Sequence, residues 1–299
     1  MANIGVWPEY LVYYPKAWKS VRTPNGQRDI VRQISMAIAG IATIGPAKGV
    51  LWRGQGSCNW ALTSKLGRTS SPGRSQAARW RRHEVDMIRT ARLVGADDAY
   101  RMTDGEILAR LRHHGAATRL IDCTQDPMVA LWFAVSRDDF PETDLHDGLV
   151  LAIDRGDLEA IEEPWNCTYE DLLKPLRTGG RFARTLAVPP IDPRIGAQRG
   201  VFVLAPLPEI GSYSELPIAV TRTWKAHSTE RLEKLCGRAS LAHAVGRLTV
   251  LFPTVMAVAV PKEIKPMLRE VLDRNYGLNR RTIYPDYPGL GALFASGHV

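Results

Sequence analysis

The chain has 299 residues, 45% hydrophobic and 23% charged, which excludes a mainly disordered polypeptide and supplies enough apolar material for a substantial core. Its 39 basic against 31 acidic residues leave a net charge of +8, so a polyanionic partner is favoured. No apolar run approaches membrane-spanning length and the N-terminus has no secretory pattern, so no membrane association is expected and a cytoplasmic location is.

Helical elements are expected up to about residue 48. Residues 50–52 are a short apolar run that predicts a buried strand leading into Arg53-Gly54-Gln55. Gln76–Leu93 contains no Pro or Gly and carries Arg79, Arg81, Arg82, Arg89 and Arg92 around Trp80. It predicts a basic helix, either a solvated face or a nucleic-acid surface with Trp80 available for base stacking. Thr103 and Glu106 have capping-box spacing; Ile107, Leu108 and Leu111 continue a helical stripe, and Gly115 stops it after His113-His114. Residues 118–122 read as extended. Asp126 and Pro127 start another helix, with Met128, Leu131, Trp132 and Val135 on one face. Residues 148–153, 201–204 and 255–260 are β-rich, whereas 177–200, rich in Gly, Pro and Arg, predicts a long irregular connection. A last helix is expected over 262–275, with Ile264, Met267, Leu268 and Val271 buried. Strands and helices mix without regular βαβ alternation, so the fold class is α+β, as one domain over residues 1–299. Its signature core spans about 49–260, and a C-terminal helix and tail span 261–299. The four cysteines, Cys58, Cys123, Cys167 and Cys236, lie too far apart for a Cys-x-x-Cys pair and read as reduced thiols, with no structural metal.

Two stretches carry more polar chemistry than packing requires. Arg53-Gly54-Gln55, followed by Trp60 and Arg68, offers a forked donor and a bare backbone, suited to a phosphate or a planar amide, or else to a plain turn. The run from Arg112 through His113, His114, Thr118, Arg119, Asp122 and Thr124 to Pro127 lies between two helices. Adjacent histidines on a helix point in different directions, which disfavours shared metal ligation; either ring can instead be a core histidine bonded to backbone. Asp122 reads as an acid in a site, or else as a structural partner of Arg119 or a cap for backbone amides.

These stretches resemble the FRG-domain family. Arg53-Gly54-Gln55 with Trp60 and Arg68 resembles its first motif, and His113, Gly115, Thr118, Arg119, Leu120, Asp122, Thr124 and Pro127 resemble its central one. Gln198-Arg199-Gly200-Val201-Phe202 is similar to its Gln-x-Gly-x-Phe strand, and Tyr284-Pro285-Asp286 with Gly289-Leu290 to its closing motif. Arg112, Ala117 and Cys123 depart from the usual Gln, Pro and Trp. A weaker resemblance is to the ADP-ribosyltransferase superfamily, with Arg53-Gly54 as the first strand element, Thr124 as the second and the Gln198 strand as the third. It implies a split, mostly antiparallel β-sheet core flanked by helices, and NAD as substrate.

On that resemblance Arg53, His113, Asp122, Thr124 and Gln198 are the expected catalytic set. Arg53, Gly54, Gln55, Arg68, Thr118 and Arg119 are expected to hold NAD, with Gly54 approaching the nicotinamide. Gln198 stands where a glutamate is expected, so Asp122 is the preferred acid, with Glu209 and Glu215 as reserves. The expected function is an NAD-dependent ADP-ribosyltransferase modifying RNA or DNA, as a bacterial toxin or anti-phage effector with an antitoxin or chaperone partner. Arg79, Trp80, Arg81, Arg82 and Arg89 are the expected nucleic-acid contacts. A metal-dependent nuclease using His113, His114 and Asp122, or a non-catalytic nucleic-acid or nucleotide-binding module, is the alternative.

Overall fold

The computed structural model describes residues 10–13, 15, 21–44, 46, 48–58, 60, 62–69, 76–96, 101–137, 141–161, 163–174, 183–204, 207 and 255–295. The strands are β1 (Tyr10–Tyr13), β2 (Val50–Gln55), β3 (Leu120–Thr124), β4 (Gly148–Asp154), β5 (Leu158–Ala160), β6 (Ala183–Leu186), β7 (Gly200–Leu204) and β8 (Val255–Val260). They form one sheet in the order β1-β8-β4-β2-β3-β7-β6-β5. β1 with β8 and β5 with β6 run parallel, and the remaining pairs are antiparallel. The helices are α1 (Pro24–Ile44), α2 (Lys65–Thr69), α3 (Gln76–Leu93), α4 (Asp104–His113), α5 (Pro127–Val135), α6 (Tyr169–Leu173), α7 (Pro193–Ala197), α8 (Lys265–Tyr276), α9 (Arg280–Ile283) and α10 (Tyr287–Ala295). The fold is thus mixed α and β, with a mostly antiparallel sheet flanked by helices.

Side chains alternate between the two faces of each strand. On one face Trp52, Val150, Ala152, Met256 and Val258 pack with α1, α5 and α8. Farther along that face Leu120, Phe202, Leu204 and Leu186 join residues of α3, α4 and α6. The opposite face gathers Leu51, Ile121, Leu149, Leu151, Val201, Val203 and Ala257 around Leu62. β4 and β8 are buried on both faces, which is why their sequences are continuous apolar runs rather than alternating ones.

The centre of the sheet is where the site arises. β2 pairs with β4 along its whole length, from Val50 opposite Asp154 to Gln55 opposite Leu149. With β3 its only register pair is Trp52 opposite Thr124. Beyond that point the two strands part, and the Arg53 side chain fills the place of a ladder bond by donating from Nη1 to the Asp122 carbonyl at 2.6 Å.

Helix ends follow their sequence signals. Thr103 and Glu106 form both halves of the capping box of α4. α4 ends at His113, and Gly115 takes φ +91°, a conformation glycine reaches without steric cost. The Asp126 carboxylate accepts from Met128 N at 2.8 Å, and Pro127 occupies the first turn of α5. α5 has no single apolar face: Val129, Ala130, Leu131, Trp132, Ala134 and Val135 are all buried, because it lies between the sheet and α8.

Other expectations are corrected. β6 and α7 occupy part of the stretch read as irregular over 177–200, and residues 175–182 lie outside the described residues. The buried stripe of α8 and the 3-10 turn before it is Ile264, Leu268 and Leu272, while Met267 and Val271 are half-buried. β1 was not anticipated. Glu209, Glu215 and Cys236 lie outside the described residues. Among the described residues no helix is long and apolar enough to cross a membrane.

Candidate functional site

A cleft of about 660 Å³ opens where β2 and β3 part. This volume lies in the range of small-molecule sites. β2 contributes Trp52, Arg53, Gly54 and Gln55, the end of α4 contributes Arg112 and His113, and β3 contributes Asp122, Cys123 and Thr124. Trp60, Lys65 and Arg68 stand on another wall, with Phe133, Arg194, Gln198 and Tyr284 completing it.

Asp122 is the electrostatic centre. Arg112 Nη2 donates to its Oδ2 at 2.5 Å, and Arg53 Nη1 lies 3.9 Å from the same oxygen. Oδ1 accepts no hydrogen bond among the described residues. Burial alone would raise this carboxyl, but Arg112, His113 and Arg53 outweigh it and hold its pKa below the ordinary value. It is therefore a carboxylate at neutral pH. Two largely buried guanidiniums share this one acid, and the Nε atoms of both Arg53 and Arg112 are buried without hydrogen-bond partners. The local surplus is positive, which suits an anionic ligand.

His113 packs edge-on to Phe202, with ring centroids 5.3 Å apart, and its Nε2 has no hydrogen-bond partner among the described residues. Burial lowers its pKa despite the opposing pull of Asp122 and Asp192, so the ring is neutral at pH 7. Arg194 braces this wall, donating to the His113 carbonyl at 3.2 Å and to Asp286 Oδ1 at 3.0 Å while its guanidinium lies 4.8 Å from the Tyr284 ring centroid. Burial pushes the Cys123 thiol up to about 12, which makes it a poor nucleophile.

The five residues expected to be catalytic, Arg53, His113, Asp122, Thr124 and Gln198, all line the cleft although they come from distant parts of the sequence. Two of them have their polar atoms engaged by the fold. Thr124 Oγ1 donates to the Gln198 carbonyl at 2.6 Å and accepts from Asp126 N at 3.0 Å. Gln198 caps α7 rather than standing on β7, and its side-chain Nε2 donates to the Ile283 carbonyl at 3.1 Å. Both therefore shape the wall.

Of the residues expected to hold NAD, Arg53, Gly54, Gln55 and Arg68 line the cleft and Thr118 and Arg119 do not. Arg119 is buried: its backbone N and its Nε donate to the two oxygens of Glu84, each at 2.8 Å. Thr118 is also buried, with Oγ1 accepting from Leu120 N. The role given to Gly54 changes too. A Cβ there would lie 1.9 Å from the Ala130 carbonyl oxygen, so its glycine answers to the close packing of α5.

The basic helix is corrected likewise. Trp80 is 2% exposed and faces the core with Glu84, Ile88 and Ala91, so it offers no surface for stacking. Arg81 pairs with Glu170 at 2.7 Å, Arg92 with Asp104 at 2.7 Å, and Arg89 lies 4.0 Å from Asp86. Much of the helix's charge is thus met within the fold, while Arg82 is exposed.

Sequence reasoning missed Glu84, Lys65 and Arg194, and it named Tyr284 in the closing motif without placing it in the cleft. Only Glu84 had a clear signal, since it falls four residues after Trp80 and four before Ile88 on the buried stripe. Among the described residues one group of ligand-type atoms, from His114, Asp192 and Asp286, lies within 4.8 Å of one another. Arg110 and Arg194 already neutralise those carboxylates, and His114 Nε2 is 2.9 Å from Asp192. This is an ion-pair network, and it joins His114 to other acids than Asp122.

No curated protein and no solved structure matches the chain. The family model of the FRG domain matches residues 48–142, which hold β2, α2 to α5 and β3 and so most of the cleft's charged residues. The chain carries an FRG domain over residues 48–142.

Proposed function

We propose that the cleft binds NAD and transfers its ADP-ribose to nucleic acid. The observation that supports this most directly is the parting of β2 and β3, which sets a surplus of guanidinium charge beside one ionised carboxylate that lines the cleft. In the proposed reaction the bond between ribose C1′ and the nicotinamide nitrogen breaks, and its electron pair leaves with nicotinamide. The positive charge that develops on the ribose is stabilised by the Asp122 carboxylate. Arg53 and Arg112 hold the pyrophosphate, as planar forks suited to phosphate oxygens. A nucleophilic atom of the acceptor then forms the new bond to C1′ and gives its proton to the neutral imidazole of His113.

Labelled NAD incubated with the protein and a mixture of RNA, DNA and protein tests the reading. Label is expected on nucleic acid, and Arg53→Ala is expected to lose transfer while keeping its circular dichroism spectrum. Absence of transfer by the wild type, or strand cleavage without NAD, sinks the proposal, the latter in favour of a nuclease. A toxin or anti-phage role follows if expression arrests growth in the wild type and does not in Arg53→Ala.

A further inference from the structure

From residue 54 to residue 83 the sequence contains no aspartate or glutamate, yet it carries Lys65, Arg68, Arg74, Arg79, Arg81 and Arg82. Arg74 lies outside the described residues. The fold gathers the two ends of this segment at one place. Lys65 Nζ donates to the Gly115 carbonyl at 2.5 Å, Leu66 N to the Thr118 carbonyl at 3.2 Å, and His83 Nε2 lies 3.0 Å from the Ala117 carbonyl. α2 and the first half of α3 therefore dock side by side on the loop 115–118. Lys65 and Arg68 line the cleft mouth with Trp60, while Arg79 and Arg82 are exposed on α3 beyond it. Of the cations on α3, Arg81 is met by Glu170 of α6, and Arg89 and Arg92, farther along the helix, by Asp86 and Asp104.

We infer that this junction is a track for single-stranded nucleic acid, running from Arg79 and Arg82 past the loop 115–118 to Lys65, Arg68 and Trp60 at the cleft. A one-sign series of cations follows a phosphate backbone by displacing its counterions. An indole at the end of that series stacks on an unpaired base, which a duplex does not offer. The inference deepens the proposed transferase by naming where the acceptor lies; it rests on that reading only for the strand's ending in the cleft. It also moves the aromatic contact from the buried Trp80 to Trp60.

The test is fluorescence anisotropy with a short labelled oligonucleotide, as single-stranded RNA, single-stranded DNA and duplex, over a series of salt concentrations. NAD binding is measured in parallel by calorimetry. The double variant Arg79→Glu/Arg82→Glu is expected to weaken single-strand binding at least about tenfold. The salt slope should fall by roughly 0.7 for each phosphate that is no longer neutralised, with NAD affinity unchanged. Trp60→Ala is expected to abolish the preference for single strands over duplex. Unaltered oligonucleotide affinity in the double variant overturns the track, as does equal binding of duplex by the wild type. Displacement of the oligonucleotide by polyglutamate as readily as by unlabelled strand overturns it in favour of an acidic protein partner. Failure of the wild type to bind NAD counts against the transferase reading instead, because the track is judged on the oligonucleotide alone.

Discussion

Asp122 and Glu84 show how similar acids diverge through their neighbours. Both meet arginines, but the Asp122 side chain is about a third exposed in a cleft, whereas Glu84 is fully buried. Glu84 accepts from Arg119 N, Arg119 Nε and the Tyr169 hydroxyl. Removing one member of such a pair leaves an uncompensated buried charge, which costs about 3–5 kcal/mol. Glu84→Gln is accordingly expected to lower unfolding free energy by about that amount in urea titrations, with NAD affinity of the folded fraction unchanged. A marked loss of NAD affinity at full stability would return Arg119 to the binding site. The sequence showed Arg119 as a polar residue among others of a motif, and the partner that decides its role lies 35 residues away. Motif membership alone could not separate the residue that reaches the cleft from the one that supports it.

At the scale of elements, sequence signals match the structure where the physics is local. The capping box of α4, the Asp126-Pro127 start of α5 and the apolar runs of β4 and β8 involve neighbours in sequence, and they appear where expected. The 177–200 stretch hides its order because β6 is only four residues long and gains its place from pairing with β5 and β7. Gly54 is the instructive case. Its position beside Arg53 suggested a backbone bared for a ligand, but α5 passes so close that a methyl group meets the Ala130 carbonyl, and Gly148 makes the same concession to the Ala134 carbonyl. Gly54→Ala is therefore expected to destabilise the protein by at least the roughly 1–3 kcal/mol of an overpacked core, seen as a lowered melting temperature without ligand. An unchanged melting temperature with weakened NAD binding would restore the ligand role.

Over the whole molecule, the cleft draws on residues from 52 to 284, well beyond the matched FRG segment. The C-terminal third contributes Tyr284 directly, and Asp286 through Arg194. On the other side, the fully buried Lys265 of α8 ties the carbonyls of Gly56 and Thr143, at 2.7 and 2.6 Å, into the wall. The polar residues of the site could be picked from the sequence, but their convergence depends on the parting of two strands, which no run of residues displays. The central claim is that Asp122 supplies the charge at which a glycosidic bond breaks, and nicotinamide release from NAD measures it most directly. Asp122→Asn is expected to slow release about 100-fold or more, the scale of losing one electrostatic stabiliser. Because the folded pKa of Asp122 is depressed, its carboxylate persists as pH falls through the ordinary carboxylate range, so protonation of Asp122 should not limit wild-type release until below about pH 4, wherever the fold survives. Wild-type rates in Asp122→Asn, or no release by the wild type at all, would contradict the account.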